Sequence, residues 1–298
     1  MGERVHAPVL LEEAMDHLDT AREGTYVDCT LGLGGHSQEI LKRNPKASVI
    51  GLDIDEQSIL AAKKNLSPYL DRVTLYHSDF RYLPDMQLDF HQIRGILIDL
   101  GISSFQLDSP ERGFSHSLDG PLDMRMDLRN KLTAAKIINK YSEHRLNQIF
   151  REYGELRQAK RMADEIVSRR KIKRIEKTTQ LRKLVEEVCR WRSQKGKIHP
   201  AAKLFLSLRI EVNQELNCIS DFLTKLSYKV PSKTRIVVIS FHSLEDRLIK
   251  HTLIKLAENN DKPARMKILT KKPVIPTDEE IKRNFRSRSA KLRAAEKI

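Results

Sequence analysis

Aromatic residues are scarce in this chain, 6% of 298 with a single Trp, which argues against a sheet that stacks bases on aromatic side chains. Cysteine is nearly absent too. Cys29, Cys189 and Cys218 stand far apart with no C-x-x-C spacing. Neither a structural zinc site nor a disulfide framework is expected, no metal ligand set appears, and a reducing cytoplasm is the expected location. No apolar run approaches the roughly 18 residues that a membrane span needs, and the first residues lack a signal-peptide pattern. A soluble protein with no membrane partner is the expectation.

What is present is charge, unevenly placed. Hydrophobic residues make up 40% and charged residues 32%, and the formal net charge is +14. Residues 1–100 carry 10 Lys+Arg against 16 Asp+Glu, residues 151–200 carry 16 against 7, and residues 262–298 carry 12 against 4. An acidic lobe is followed by two basic segments, the pattern of a protein that holds phosphates.

The acidic lobe contains Val27-Asp28-Cys29-Thr30-Leu31-Gly32-Leu33-Gly34-Gly35-His36-Ser37. A short apolar run feeds a glycine-rich turn, and an amphipathic run follows, predicting strand, loop and helix. Such a loop cradles a nucleotide or cofactor against main-chain N–H groups. A second strand, Ala47 to Leu52, ends in Asp53, about 20 residues after the first glycine, where an acid suits ribose hydroxyls. The dinucleotide fingerprint wants a third glycine, and that position holds Ser37. The departure favours S-adenosylmethionine over a nicotinamide dinucleotide.

Further strands are expected at Val73 to His77, running into Ser78-Asp79-Phe80, and at Gly95 to Ile98, ending at Asp99. Alternating with helices, they predict an α/β fold with a parallel sheet, its ligand beyond the carboxyl ends of the strands. Asp28, Asp53, Asp79 and Asp99 all fall there. From Asp99 to Asp127 the chain lacks periodicity and is rich in Ser, Gly, Pro and Asp. Phe105, Phe114, Met124 and Met126 are the expected anchors of a packed functional loop. From Thr133 to Leu226 the pattern is helical, with starts at Thr133, Ser142 and Thr178. A buried strand at Arg235 to Ile239 then runs into His242, and Ser243 with Asp246 reads as a capping box. The Arg- and Ser-rich tail, 283–296, reads as a flexible phosphate-contacting arm.

Several of these stretches are shared with one family. Asp28 to Ser37, Asp99-Leu100-Gly101-Ile102-Ser103-Ser104-Phe105-Gln106-Leu107-Asp108, and Glu111 to Ser115 all match it. So do Gly120 to Met126, Ile239-Ser240-Phe241-His242-Ser243-Leu244-Glu245-Asp246-Arg247, and Arg286 to Arg293. In these the chain closely resembles the bacterial ribosomal RNA small-subunit methyltransferase H family, whose members methylate N4 of a cytosine in the decoding region of 16S rRNA. The resemblance implies a class I Rossmann-like S-adenosylmethionine-dependent methyltransferase sheet, discontinuous over 1–108 and 228–298. A loop plus helical insertion domain, 109–227, would recognise the substrate. It implies cofactor contacts from Gly34, Gly35, His36, Asp53, Phe80, Asp99 and Gln106. The partner implied is 16S rRNA or the small ribosomal subunit, and a homodimer is left open. Cys29 stands where many members have glycine, and Phe285 where the tail motif usually has proline.

Asp99, Ser103 and His242 are the expected catalytic residues. Asp99 or the Ser103 and Ser104 hydroxyls would draw the hydrogens of a poorly nucleophilic amine, and His242 would accept a proton. A nicotinamide-dependent oxidoreductase shares the sheet but leaves the basic segments idle. A non-catalytic RNA-binding assembly factor explains those segments and leaves the strand-end acids idle.

Overall fold

Runs of branched aliphatic residues form one seven-stranded sheet, and its order fixes where a ligand lies. The computed structural model describes residues 8–192, 198–258 and 262–298. Along the chain come α1 (Leu11–Leu18), β1 (Gly24–Asp28), α2 (Gly35–Arg43), β2 (Ala47–Asp53), α3 (Glu56–Asn65), β3 (Val73–His77) and β4 (Ile93–Asp99). A helical stretch follows: α4 (Ser104–Asp108), α5 (Ala134–Lys140), α6 (Glu143–Glu152), α7 (Ala159–Ile172), α8 (Thr178–Cys189) and α9 (Pro200–Asn213). The chain then returns to the sheet through α10 (Ile219–Lys229), β5 (Arg235–Ser240), α11 (Ser243–Glu258), β6 (Met266–Ile268), α12 (Asp278–Arg283) and β7 (Lys291–Lys297). Two compact units result, residues 1–101 with 216–298, and residues 102–215.

The sheet order is β3-β2-β1-β4-β5-β7-β6. The first five strands are mutually parallel, while β7 runs antiparallel to both β5 and β6. This is the doubly wound 3-2-1-4-5 order, which reverses between β1 and β4 and so opens a crevice there. Alternate residues of each strand face opposite sides. Tyr26, Val49, Leu97 and Val237 pack under Met15, Leu18, Ile40 and Leu41, while Val27, Ile96, Ile98, Ile236 and Val238 pack on Ile219, Phe222, Leu226, Ile249 and Leu253.

The unit of residues 102–215 has its own core, with Phe114, Leu122 and Met124 buried among Ile137, Phe150, Met162, Leu181 and Leu208. The long loop is therefore packed. Asn213 on α9 accepts from Met126 N and donates to Met124 O, both at 2.8 Å, and Arg112 donates to the carbonyls of Arg125 and Met126. Phe105, expected as an anchor, is 41% exposed.

Four local readings change. The division falls at residues 102 and 215 where 109 and 227 were expected, because α10 puts Ile219, Phe222 and Leu226 into the sheet's core. Thr178 opens α8 but does not cap it; its hydroxyl donates to Leu118 O at 2.6 Å. The cap of α11 sits one residue earlier than expected, since Asp246 N donates to His242 O and Glu245 N to His242 Nδ1. The tail forms no arm over 291–297. It is β7, held because the nearly buried Arg293 (6% exposed) donates to Asp246 Oδ1 at 2.6 Å.

Candidate active site

The glycine loop joins β1 to α2, and two of its glycines have left-handed backbone, Gly32 at φ +53° and Gly34 at φ +82°. The conformation calls for glycine, and the space is tight as well, since a Cβ on Gly34 would sit 3.1 Å from Leu66 Cδ1. Gly35 has a different reason. Its Cβ would meet Pro8 Cγ at 2.5 Å. The loop is laced to neighbouring strands by Leu31 N donating to Leu52 O and Asp99 N donating to Thr30 Oγ1 at 2.6 Å.

Three of the four strand-end acids gather around it. Asp28, 1% exposed, accepts from Ser37 Oγ at 2.7 Å and from Thr30 N at 3.3 Å. Burial pushes its carboxyl up to about 6. Asp53 accepts from Gly32 N at 2.8 Å and Asp55 N at 2.9 Å, so it ties the loop to β2; burial, partly offset by those bonds, also pushes it up to about 6. Asp99 is pushed well above the usual carboxylate range, by burial first and then by the charges of Asp28 and Glu245. Its Oδ1 is buried with no hydrogen-bond partner among the described residues. Its Oδ2 lies 3.9 Å from His36 Nδ1, and His36 Nε2 is 3.0 Å from Val9 O, so a proton on Nε2 leaves Nδ1 facing the acid. Asp79 does not join them. It caps the 3-10 turn over Phe80–Asp85 and holds Arg81 by both its main chain and its guanidinium.

Phe80 opens that turn with its ring edge-on to Phe222 at 5.0 Å. His242 follows β5, the strand that pairs with β4 at Asp99 and Ile239. Both its ring nitrogens face its own helix: Nδ1 accepts the cap bond from Glu245 N, and Nε2 lies 3.1 Å from Glu245 Oε1 without the alignment of a hydrogen bond. Ser103 and Gln106 belong to the other unit, where they cap α4 reciprocally: Gln106 N donates to Ser103 Oγ and Ser103 N to Gln106 Oε1, each at 3.2 Å. The side chain of Ser104 lies outside the described residues.

Sequence reading missed three contributors. Ser37 counts as more than a missing glycine, since its hydroxyl fixes Asp28. Thr30 fixes the backbone of Asp99. Glu245, beside the expected capping pair Ser243 and Asp246, is 1% exposed and lends its charge to Asp99. The only signal for Thr30 and Ser37 was their hydroxyls within a loop already suspected.

The site suits a ligand with ribose hydroxyls and a positive charge. Asp53 has two lone-pair positions beyond its two backbone bonds. Three crowded acids with raised carboxyls favour a cation, and they disfavour a pyrophosphate at the same helix start. A doubly wound sheet with an antiparallel strand between its fifth and last positions, a glycine loop with Ser37 in the third-glycine place, and this acidic crevice define the class I S-adenosylmethionine-dependent methyltransferases.

A sequence profile described as the MraW methylase family matches residues 3–298, and the chain belongs to that family. Membership makes S-adenosylmethionine the methyl donor. Proteins named ribosomal RNA small subunit methyltransferase H are similar over nearly their whole length. That of Carboxydothermus hydrogenoformans is 45% identical (98% of this chain, 98% of that protein), and that of Caldicellulosiruptor saccharolyticus is 47% identical (98% and 99%). Among solved structures, an rRNA methylase from Streptococcus thermophilus aligns over 99% of this chain and 98% of that one, at 11% identity and a TM-score of 0.41.

Proposed function

We propose that this protein transfers a methyl group from S-adenosylmethionine to the exocyclic N4 of a cytosine in the decoding region of 16S rRNA, in the small ribosomal subunit. The observation that carries the chemistry is the buried Oδ1 of Asp99, which has no hydrogen-bond partner among the described residues. The names of the relatives support the rRNA acceptor. A basic exterior on the helical unit, with Arg157, Lys160, Arg161, Lys171 and Lys173 exposed, suits RNA phosphates.

When bound, S-adenosylmethionine supplies a methyl already activated by its sulfonium. The chain's own residues must place an acceptor in line with it and manage a proton. The N4 lone pair is delocalised into the cytosine ring. Asp99 Oδ1 takes an amino hydrogen, localises that lone pair, and receives the proton as the N–C bond forms. Its high carboxyl makes it a stronger base than an ordinary aspartate. Because His242 Nδ1 is spent on the helix cap, the acid–base role falls to Asp99, and His242 positions the end of β5. Ser103 is kept as a polar contact to the base, tested by Ser103→Ala.

Tritiated S-adenosylmethionine with small subunits from a strain lacking the gene, alongside free RNA, tests the reading. Label on N4-methylcytidine, lost in Asp53→Ala and Gly34→Asp, is the expected result. Cofactor binding with no label on either substrate overturns the rRNA assignment.

A further inference from the structure

Phe285 is a large aromatic left 67% exposed, in a chain with few aromatics to spare. Its ring is not bare on both sides. The guanidinium carbon of Arg288 lies 4.2 Å from the ring centroid, and Arg288 Nη1 donates to Phe285 O at 3.1 Å, which fixes the pair within one 3-10 turn, Phe285–Ser289. Asn284 caps that turn by accepting from Arg286 N, and Ser287 is fully buried beneath it. The pair presents an aromatic face backed by a cation, and Lys282 and Arg283 beside it are exposed.

Its place in the fold is informative. β7 runs antiparallel to β5, so its first residue, Lys291, pairs with Ser240 at the carboxyl end of β5. The turn immediately before β7 therefore lies at the edge of the sheet where Asp28, Asp53 and Asp99 end their strands. The preceding helix is anchored to the same region: Glu280 on α12 accepts from Leu10 N at 2.9 Å, and the carbonyl of neighbouring Val9 takes His36 Nε2.

We propose that the Phe285–Arg288 pair is a stacking platform for one unpaired nucleobase of the RNA substrate, with Lys282 and Arg283 meeting its flanking phosphates. This rests on the rRNA reading above. An aromatic face backed by a guanidinium stacks on any base whose own face is free, whereas a base inside a duplex offers no face. Cationic neighbours select a polyanion over an apolar partner. Stacking on a ring face tolerates every base, so the platform is expected to hold a base in place with little choice of its identity.

Full-length protein with Phe285→Ala, Phe285→Trp and Arg288→Ala tests this, using a single-stranded oligoribonucleotide containing 2-aminopurine. Stacking contributions per base predict roughly ten-fold weaker binding for Phe285→Ala and quenching restored in Phe285→Trp. S-adenosylmethionine affinity and thermal midpoint should match the wild type, and KM for RNA should rise with kcat kept. A duplex of the same sequence should show no Phe285 dependence. Phe285→Ala binding the single strand as the wild type does would overturn the platform. So would a loss on Lys282→Ala and Arg283→Ala alone, which would mark a charge contact only. The two readings fail separately. Single-strand binding that needs Phe285, without methyl transfer to any RNA, sinks the rRNA methylation and keeps the platform; methyl transfer untouched by Phe285→Ala with unchanged binding does the reverse.

Discussion

Asp99 meets two opposed demands, since burial favours its neutral form while proton acceptance needs its anion. The isosteric Asp99→Asn keeps the shape and removes the base, so kcat should fall about 10²–10⁴-fold with much smaller loss of cofactor affinity. The wild-type rate should climb with pH through a carboxyl raised above its ordinary range, and Asp99→Asn should lose that limb. A variant with wild-type kcat would remove Asp99 from the chemistry. Asp28 gives a stability test. Its carboxyl rises from 3.8 to about 6 on folding, so between those values the native state binds more protons than the unfolded chain, and stability falls as pH rises across the window. Asp28→Asn retains the contact to Ser37 and should reduce that slope in urea midpoints measured from about pH 4 to 6, with Asp53 and Asp99 supplying what remains. The turn at Gly34 and the acid ending β2 at Asp53 were legible in sequence because glycine spacing and strand length mark such a loop and strand end, and the structure ties the two together through Gly32 N. His36 bound to the Val9 carbonyl was not, because a side chain seeking a main-chain oxygen leaves no pattern.

At the scale of elements, strands and helices with one clear period were readable, including β3 over Val73–His77 to the residue. The last strand was hidden. Its Lys, Arg and Glu among small residues, following the Arg–Ser alternation of 286–289, match a solvated arm, and it is the bond to Asp246, far upstream, that makes Arg293 tolerable inside the sheet. Burial alone would raise the Asp246 carboxyl, but Arg293 and Lys291 more than offset it and hold it below the usual range. That stabilisation is present above the unfolded carboxyl's range and lost as pH falls through the lowered one. Arg293→Met should cost about 3 kcal/mol by leaving Asp246 with Lys291 alone, and Asp246→Leu/Arg293→Met should recover most of it, read from urea midpoints at neutral pH. Equal losses in the single and double variants would show that the pair is not what holds β7.

For the molecule as a whole, the change from sheet to helix patterning revealed an insertion, while its exact ends were obscured because α10 carries the same helical period and differs only in what it packs against. A separate core predicts that residues 102–215 expressed alone will melt cooperatively with helical circular dichroism. A featureless melt would mean that this unit depends on the rest of the chain. The insertion also bears on time. β4 and β5 pair at Asp99 and Ile239, yet the whole helical unit lies between them in the chain. Closing so long a loop is slow, whereas helices built on local contacts form fast and shorten the distance to be searched. The β4–β5 pairing is therefore expected to form late, and destabilising the insertion's own core, for example with Phe150→Ala, should slow the rate at which the refolding chain regains cofactor binding.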